Sequence, residues 1–173
     1  LWSKIEAAKR RCIYNLIGLH LFNGAAAQLK FKFLSGDTLT GHADGLITVN
    51  IAEADDVERE RRRVSFREPY RTLLGHFRHE IGHYYWDQLV ANTPNIDRFR
   101  ELFGDETRDY GQALQNYHAS GAPQNWELNF VSAYATAHPW EDWAETWAHY
   151  LHIVDTVETA GSFGISLKPN HPD

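Results

Sequence analysis

The sequence is poor in cysteine, in long apolar runs and in positive charge. Its 173 residues contain one cysteine, Cys12, and no methionine. A single cysteine excludes a disulfide framework and a cysteine-rich metal site. No run of 18 or more apolar residues occurs, so no membrane span is predicted. Lys and Arg number 17 against 23 Asp and Glu, and this shortage of positive charge argues against a chain-wide nucleic-acid surface.

What is present is a globular composition with an excess of histidine. Hydrophobic residues make up 43% and charged residues 23% of the chain, which is typical of globular proteins. The length predicts a single domain over residues 1–173. The start at Leu1 rather than at a methionine predicts that the chain is a fragment. Ten histidines are more than a chain of this size needs, so their clustering is the feature to follow.

Hydrophobic periodicity gives the order of the predicted elements. Helices are predicted over residues 2–17, 69–90, 95–103, 106–118, 125–137 and 139–159. Strands are predicted over residues 29–34 and 45–51. A small strand-containing part followed by helices predicts the α+β class. The basic run 58–67 is predicted to be solvated and partly self-paired, and a phosphate or nucleic-acid contact is the alternative.

The segment that carries chemistry is His79-Glu80-Ile81-Gly82-His83. Residues four apart lie on one face of a helix, about 6 Å apart along its axis, so both imidazoles can reach one zinc ion. Glu80 is rotated by about 100° from His79, so we expect it to touch a water on the ion. The alternative is a chance spacing on a solvated helix face. Apolar and aromatic neighbours favour a buried helix, in which polar groups need partners.

A second predicted helix, which begins at Pro139, offers further ligands. A catalytic zinc site needs a third protein ligand and keeps its fourth position open. Glu141 and Glu145 are four residues apart on this helix, and His149 and His152 continue the same stripe. The opposite face is apolar and suits a protein core. Either histidine is a rival third ligand, and an ordinary amphipathic helix with solvated charges is the simplest alternative.

The two motifs together resemble the gluzincin metallopeptidases, in which a distant Glu-x-x-x-Glu helix follows His-Glu-x-x-His. This resemblance implies that Glu141 is the third zinc ligand and that Glu145 hydrogen-bonds to a ligand histidine. Residues 134–145 also resemble part of the protease domain of anthrax lethal factor. In that protease domain the tyrosine at the position of Tyr134 faces the metal, and the resemblance therefore implies that Tyr134 helps to stabilise an oxyanion.

A longer resemblance spans residues 28–165. It is to a bacterial family of zinc-binding metallopeptidases that usually carry an N-terminal zinc ribbon. The similar runs are residues 40–42, 44–48, 53–55, 70–80, 103–106, 131–135 and 138–143. Cys12 alone cannot supply a ribbon, so that element either was trimmed or is lacking in this member. The family implies a zincin-like fold with a small N-terminal sheet and a bacterial protein, which we expect in the cytoplasm.

The expected function is zinc-dependent hydrolysis of peptide bonds. The resemblance implies one Zn²⁺ ion held by His79, His83 and Glu141, with Glu80 as general base and Tyr134 as oxyanion donor. The expected partner is a peptide or protein substrate in an extended conformation, without a membrane and without nucleic acid. The rival functions are a zinc-binding interaction domain that lacks turnover and a DNA-associated protease anchored by the basic run.

The remaining candidates flank this site. Gly45, Ile47 and Val49 mark the strand 45–51 as the one that receives substrate at a sheet edge, and a plain core strand is the alternative. His76, three residues before His79, is expected beside the ligands without binding the ion. His138 is expected at a helix start near the cleft. Four histidines have no spacing argument: His20, His42, His118 and His171.

Overall fold

The computed structural model describes residues 1–22, 28–36, 38, 40–65, 71–166 and 168. Within these residues the chain forms six α-helices and a three-stranded sheet, which confirms the α+β class. The helices are α1 (Trp2–Gly18), α2 (Asp56–Ser65), α3 (Leu73–Leu89), α4 (Ile96–Phe103), α5 (Tyr110–Ser120) and α6 (Pro139–Ser162). The strands are β1 (Lys30–Leu34), β2 (Gly41–Ala43) and β3 (Leu46–Asn50). No helix in the described part of the chain is long and apolar enough to cross a bilayer.

The sheet has the order β1-β3-β2, so β3 is its central strand. It pairs in parallel with β1 and antiparallel with β2. The turn between β2 and β3 contains Asp44 and Gly45, whose φ angles are 49° and 76°. Positive φ at an Asp-Gly pair is typical of a tight hairpin turn. The sequence patterns missed β2, because three residues are too few to show a period.

The central position of β3 corrects the expectation that Gly45, Ile47 and Val49 form a substrate-receiving edge. Their strand has a neighbour on each side, and the side chains of Ile47 and Val49 are fully buried. Main-chain groups that already pair within a ladder cannot pair with a peptide. The core-strand alternative is therefore the one observed, and among the described residues β2 forms the sheet edge on that side.

Helix α3 lies at the centre of the packing, in contact with α6, α1 and β2. Its N-terminus is capped by Thr72, whose hydroxyl accepts a hydrogen bond from the amide of Gly75 at 3.0 Å. The core joins α3 to α1 and β3 through apolar side chains that are fully buried: Ile5, Cys12, Leu16, Ile47, Val49, Phe77 and Ile81. Each contributes roughly 1.5–3 kcal/mol through removal from water, so the helix with the His-Glu motif is firmly held.

A buried arginine ties α1, α3 and α6 together on the side of α3 next to the motif. Arg78 is almost fully buried and donates hydrogen bonds to Asp155 at 2.8 Å and to Asn15. Its guanidinium also contacts Nδ1 of His152. His152 is therefore directed toward this polar cluster, which explains why it does not join a metal site.

Three predicted helices differ from the structure. The helix predicted over 106–118 is α5, which begins at Tyr110 and ends at Ser120. The segment predicted as one helix over 125–137 contains two short 3₁₀ turns, Trp126–Leu128 and Tyr134–Thr136. The first of them has its C-cap at Asn129, whose φ of −130° and ψ of −14° are not helical, so the helix does not continue past it. The helix predicted from residue 69 begins at Leu73, and Pro69 itself lies outside the described residues.

The basic run lies mostly on α2, where arginines pair with nearby acids. Arg62 contacts Glu58 at 2.9 Å and Arg63 contacts Glu60 at 2.7 Å. These pairs lie one helical turn apart, as expected for a charged helix surface. The last two residues of the basic run, 66 and 67, lie outside the described part of the chain.

Candidate metal centre

Helices α3 and α6 approach each other closely at Gly82. A Cβ atom on this residue would lie 3.0 Å from Cα of Ala144 and 3.2 Å from the side chain of Trp147. The indole of Trp143 donates a hydrogen bond to the carbonyl of Gly82 at 2.9 Å. The absence of a side chain on Gly82 therefore brings the polar faces of the two helices together.

Three side chains on these faces direct ligand atoms toward one point. The Nε2 atoms of His79 and His83 lie 3.2 Å apart. Oε2 of Glu141 lies 3.0 Å from the first and 3.6 Å from the second. In a tetrahedral zinc site with 2.0–2.1 Å bonds, ligand atoms are about 3.3 Å apart, so this triangle fits one ion. No other group of three metal-binding side chains was found within the described ranges.

The charge at this triangle also suits a cation. Glu141 is 1% exposed, and its Oε2 atom has no hydrogen-bond partner, an arrangement that is costly unless a positive charge compensates it. Burial alone would raise the pKa of Glu141, but the two imidazoles hold it well below its usual range. Burial would lower the pKa of His79, but the carboxylates of Glu141 and Glu145 hold this pKa well above its usual value. Negative charge that attracts a proton also attracts a metal ion.

Glu145 lies on the outer side of the triangle. Its Oε1 atom is 2.6 Å from Nδ1 of His79, so Nδ1 carries a hydrogen, and Nε2 can offer its lone pair to a metal ion that displaces its proton. The ring of His79 thereby has a fixed tautomer and orientation. The rival ligand His149 instead directs its Nδ1 to the main-chain oxygen of Glu145 at 2.8 Å.

A cavity of about 350 Å³ opens over the ligand atoms. Glu80 lines it together with the three ligand side chains. Strand β2 and the turn after it form one wall, and aromatic side chains of α3, α5 and α6 and of the loop before α6 form the others. The remaining lining residues are Thr40, Gly41, His42, Ala43, Asp44, Trp86, Asp87, Tyr110, Tyr134 and Trp140. The edge strand β2 therefore borders the cavity that lies over the triangle.

One family profile, described as "Putative zinc-binding metallo-peptidase", matches residues 1–172. The chain belongs to this family. It is 50% identical over 174 residues to uncharacterized proteins of Mycobacterium bovis and of two strains of Mycobacterium tuberculosis, over 95% of its own length. The chain spans 51% of the length of these relatives. No solved structure matches it. The resemblance to the zinc-binding metallopeptidase family is thus confirmed.

Two further residues that the sequence singled out lie in this cavity. Glu80 is 9% exposed, and burial raises its pKa, although His79 and His83 act in the opposite direction. Tyr134 lies with its ring centroid 6.0 Å from that of His79. Burial, followed by the nearby negative charge of Glu141, raises the pKa of Tyr134. Its hydroxyl therefore stays protonated and able to donate a hydrogen bond.

Sequence reasoning missed Tyr110, which contacts the candidate ligand Glu141. Its hydroxyl donates a hydrogen bond to Oε1 of Glu141 at 2.5 Å. The two residues are 31 positions apart and lie on different helices. No spacing rule connects them, because the contact depends on how α5 packs against α6.

The other histidines have different surroundings. Nδ1 of His76 lies 3.3 Å from Oε2 of Glu53, away from the cavity lining. His138 caps α6 through its side chain, and His42 lines the cavity. His171 lies outside the described residues.

Proposed function

We propose that this metallopeptidase family member is a zinc-dependent peptidase of the gluzincin type. His79, His83 and Glu141 would be the protein ligands of one Zn²⁺ ion. The observation that carries the proposal is the triangle of two Nε2 atoms and one Oε2 atom, with sides of 3.0, 3.2 and 3.6 Å. When bound there, the ion would polarise a peptide carbonyl and lower the pKa of a water to about 7.

Glu80 is the proposed general base. It would take a proton from the attacking water and pass it to the leaving amine. Its pKa is raised by burial, which makes the carboxylate a stronger acceptor of the water's proton. His79 and His83 limit the rise, and this keeps the carboxylate basic rather than permanently protonated.

Tyr134 is the proposed donor to the oxygen that gains negative charge. Its hydroxyl stays protonated because burial raises its pKa. A preorganised donor of this kind contributes roughly 2.7–4 kcal/mol to transition-state stabilisation. The local likeness of residues 134–145 to the lethal factor protease domain supports the same role.

The proposed substrate is an extended peptide or protein segment. Strand β2 lines the cavity and forms an edge of the sheet, so its main chain is placed to add a peptide as a further strand. This arrangement replaces the role that the sequence suggested for residues 45–51. The zincin-like fold, the cytoplasmic location and the absence of a nucleic-acid partner stay predictions.

Metal content and proteolysis test the proposal together. We expect stoichiometric zinc in protein purified at neutral pH, and cleavage of an unfolded protein such as reduced casein that a chelator abolishes and zinc restores. Glu80→Gln should keep the zinc and lose cleavage by at least about 100-fold. Glu101→Gln is the matched control, because Glu101 is 63% exposed on α4 and pairs with Arg98, away from the cavity lining.

Each rival function gives a different result. Protein without zinc would overturn the metal centre, and undiminished cleavage by Glu80→Gln would overturn the general base. Stoichiometric zinc without cleavage of any unfolded protein would favour the interaction domain. Cleavage that requires added DNA would favour the DNA-associated protease.

A further inference from the structure

Tyr110 reaches the metal centre from an element that contains no metal-binding motif. It is the first residue of α5, whose N-cap Asp109 accepts a hydrogen bond from the amide of Gln112 at 2.8 Å. The cap fixes where the helix begins. From this position the Tyr110 hydroxyl donates to Oε1 of Glu141 at 2.5 Å, within the range of strong hydrogen bonds to a charged oxygen.

The two oxygens of Glu141 therefore have different surroundings. Oε1 accepts the hydrogen bond from Tyr110. Oε2 faces the Nε2 atoms of His79 and His83 and has no hydrogen-bond partner. A carboxylate without such a bond can rotate and offer either or both oxygens to a cation. Here one oxygen is engaged, and the other is left for the metal.

The ring of Tyr110 is held on two sides. It packs edge-to-face against His138 with centroids 5.2 Å apart, and it lies 5.6 Å from the ring of Trp140. Nε2 of His138 lies 3.2 Å from the carbonyl oxygen of Arg108, and its Nδ1 accepts from the amide of Trp140 at 3.1 Å. The segment before α5 is thus bonded to the start of α6, which carries Glu141.

The Tyr110 hydroxyl keeps its proton. Burial, followed by the negative charge of Glu141, raises the pKa of Tyr110, and Tyr134 partly opposes that rise. The proton is therefore available for the hydrogen bond to Glu141.

We propose that Tyr110 is a positioning residue that restricts Glu141 to binding the metal through one oxygen. The inference rests on the proposed metal site and adds a residue to it. Without the hydroxyl, Oε1 would be free to turn toward the cation, and the carboxylate would lose its fixed orientation. Outer-sphere hydrogen bonds of this kind change metal affinity by 10–100-fold.

Tyr110→Phe tests this role in the full chain. We expect its zinc affinity, measured by competition with a chromophoric chelator, to fall by roughly 10–100-fold. The visible spectrum of the Co²⁺-loaded variant should shift from the intense bands of a four-coordinate site toward the weaker bands of a higher-coordinate one. Tyr85→Phe is the matched control, because it removes a buried hydroxyl that donates to the Leu21 carbonyl at 2.8 Å, outside the cavity lining. Its zinc affinity and Co²⁺ spectrum should match the wild type.

The outcomes separate this inference from the proposed function. Equal zinc affinity and identical Co²⁺ spectra for the wild type and Tyr110→Phe would overturn the role of Tyr110 and leave the metal site standing. A wild type that binds no zinc would overturn the proposed function itself. If Tyr110→Phe does not fold, X-ray absorption at the zinc edge of the wild type decides. Four near ligands support the proposal, and a fifth from a carboxylate that binds through both oxygens contradicts it.

Discussion

Nδ1 of His79 lies 2.6 Å from Oε1 of Glu145, and Nε2 of the same ring lies 3.0 Å from Oε2 of Glu141. One imidazole of α3 is therefore enclosed by two carboxylates that stand one turn apart on α6. These two contacts fix the orientation of the His79 ring and the relative position of α3 and α6. The spacing of the two glutamates is thus a requirement of the site rather than a property of the helix alone.

Glu145→Ala should weaken zinc binding by roughly 10–100-fold, because the ring of His79 loses the acceptor that orients it. Chelator competition measures this change, and circular dichroism of the metal-free protein checks the fold. Glu158→Ala is the control, since Glu158 is exposed on the same helix and its carboxylate accepts a hydrogen bond from Tyr14, away from the cavity lining. Unchanged affinity in Glu145→Ala would show that the carboxylate does not support the metal.

Gly82→Ala should destabilise the protein even though alanine favours helices by about 1 kcal/mol over glycine. The added Cβ would meet the backbone of Ala144 at 3.0 Å, and backbone cannot move aside as a side chain can. Overpacking of this kind costs about 1–3 kcal/mol. Urea unfolding of the metal-free variants measures the difference.

Gly161→Ala is the control, and we expect it to change the stability of the protein in the opposite direction. This glycine lies near the end of α6, and nothing lies within 4 Å of the Cβ position. The same substitution should therefore stabilise the protein by up to about 1 kcal/mol. If both variants changed stability in the same direction, the close approach at Gly82 would not be the cause.

The site was predictable to the extent that it lies within single helices. His79, Glu80 and His83 share one helical turn, so periodicity alone relates them. Glu141 and Glu145 share a turn of α6, but periodicity did not favour either of them over His149 as the third ligand. The family resemblance supplied the choice of Glu141. The position of Tyr110 depends on packing between α5 and α6, for which a single sequence contains no period.

The fold was predictable in its long elements. Helices α1, α3 and α6 have 17, 17 and 24 residues, so they carry enough turns for an apolar stripe to be visible. The sheet order was not predictable, because β2 has only three residues and its pairing decides whether β3 is an edge or a central strand. The segment 125–137 has helix-like composition, but its backbone follows two separate 3₁₀ turns.

Asp155 should make the stability of the fold sensitive to acid. Burial would raise its pKa, but hydrogen bonds from Arg11, Arg78 and Asn15 lower it from 3.8 to about 2. Because the folded-state pKa lies below the unfolded value, the stabilisation is fully present above about pH 4 and is lost as the pH falls toward 2. It amounts to roughly 2 kcal/mol at neutral pH.

Asp155→Asn should therefore lose at least about 2 kcal/mol at pH 7, because buried Arg78 also loses its counter-charge, and the deficit should shrink on acidification. Urea unfolding at pH 7 and at pH 3.5 measures both values. Asp97→Asn is the control, since Asp97 is exposed on α4, and its effect should stay within about 0.5 kcal/mol. A deficit that is the same at both pH values would contradict the assigned pKa shift.

Glu53→Gln should destabilise the protein without weakening its metal site. Glu53 is 2% exposed and its Oε1 atom accepts from Arg62 at 2.7 Å and from Arg71 at 3.1 Å. Loss of a buried counter-charge costs roughly 3 kcal/mol, which urea unfolding measures. The carboxylate also faces Nδ1 of His76, one turn before the first ligand on α3.

Zinc affinity distinguishes a structural role of this cluster from a role at the metal. Because His79 is oriented by Glu145 and not by His76, the affinity of folded Glu53→Gln should equal that of the wild type. Glu60→Gln is the matched control, since Glu60 is 60% exposed and pairs with Arg63, and its effect on stability should stay below about 1 kcal/mol. A zinc affinity that fell with Glu53→Gln at unchanged stability would instead place His76 among the groups that support the metal ligands.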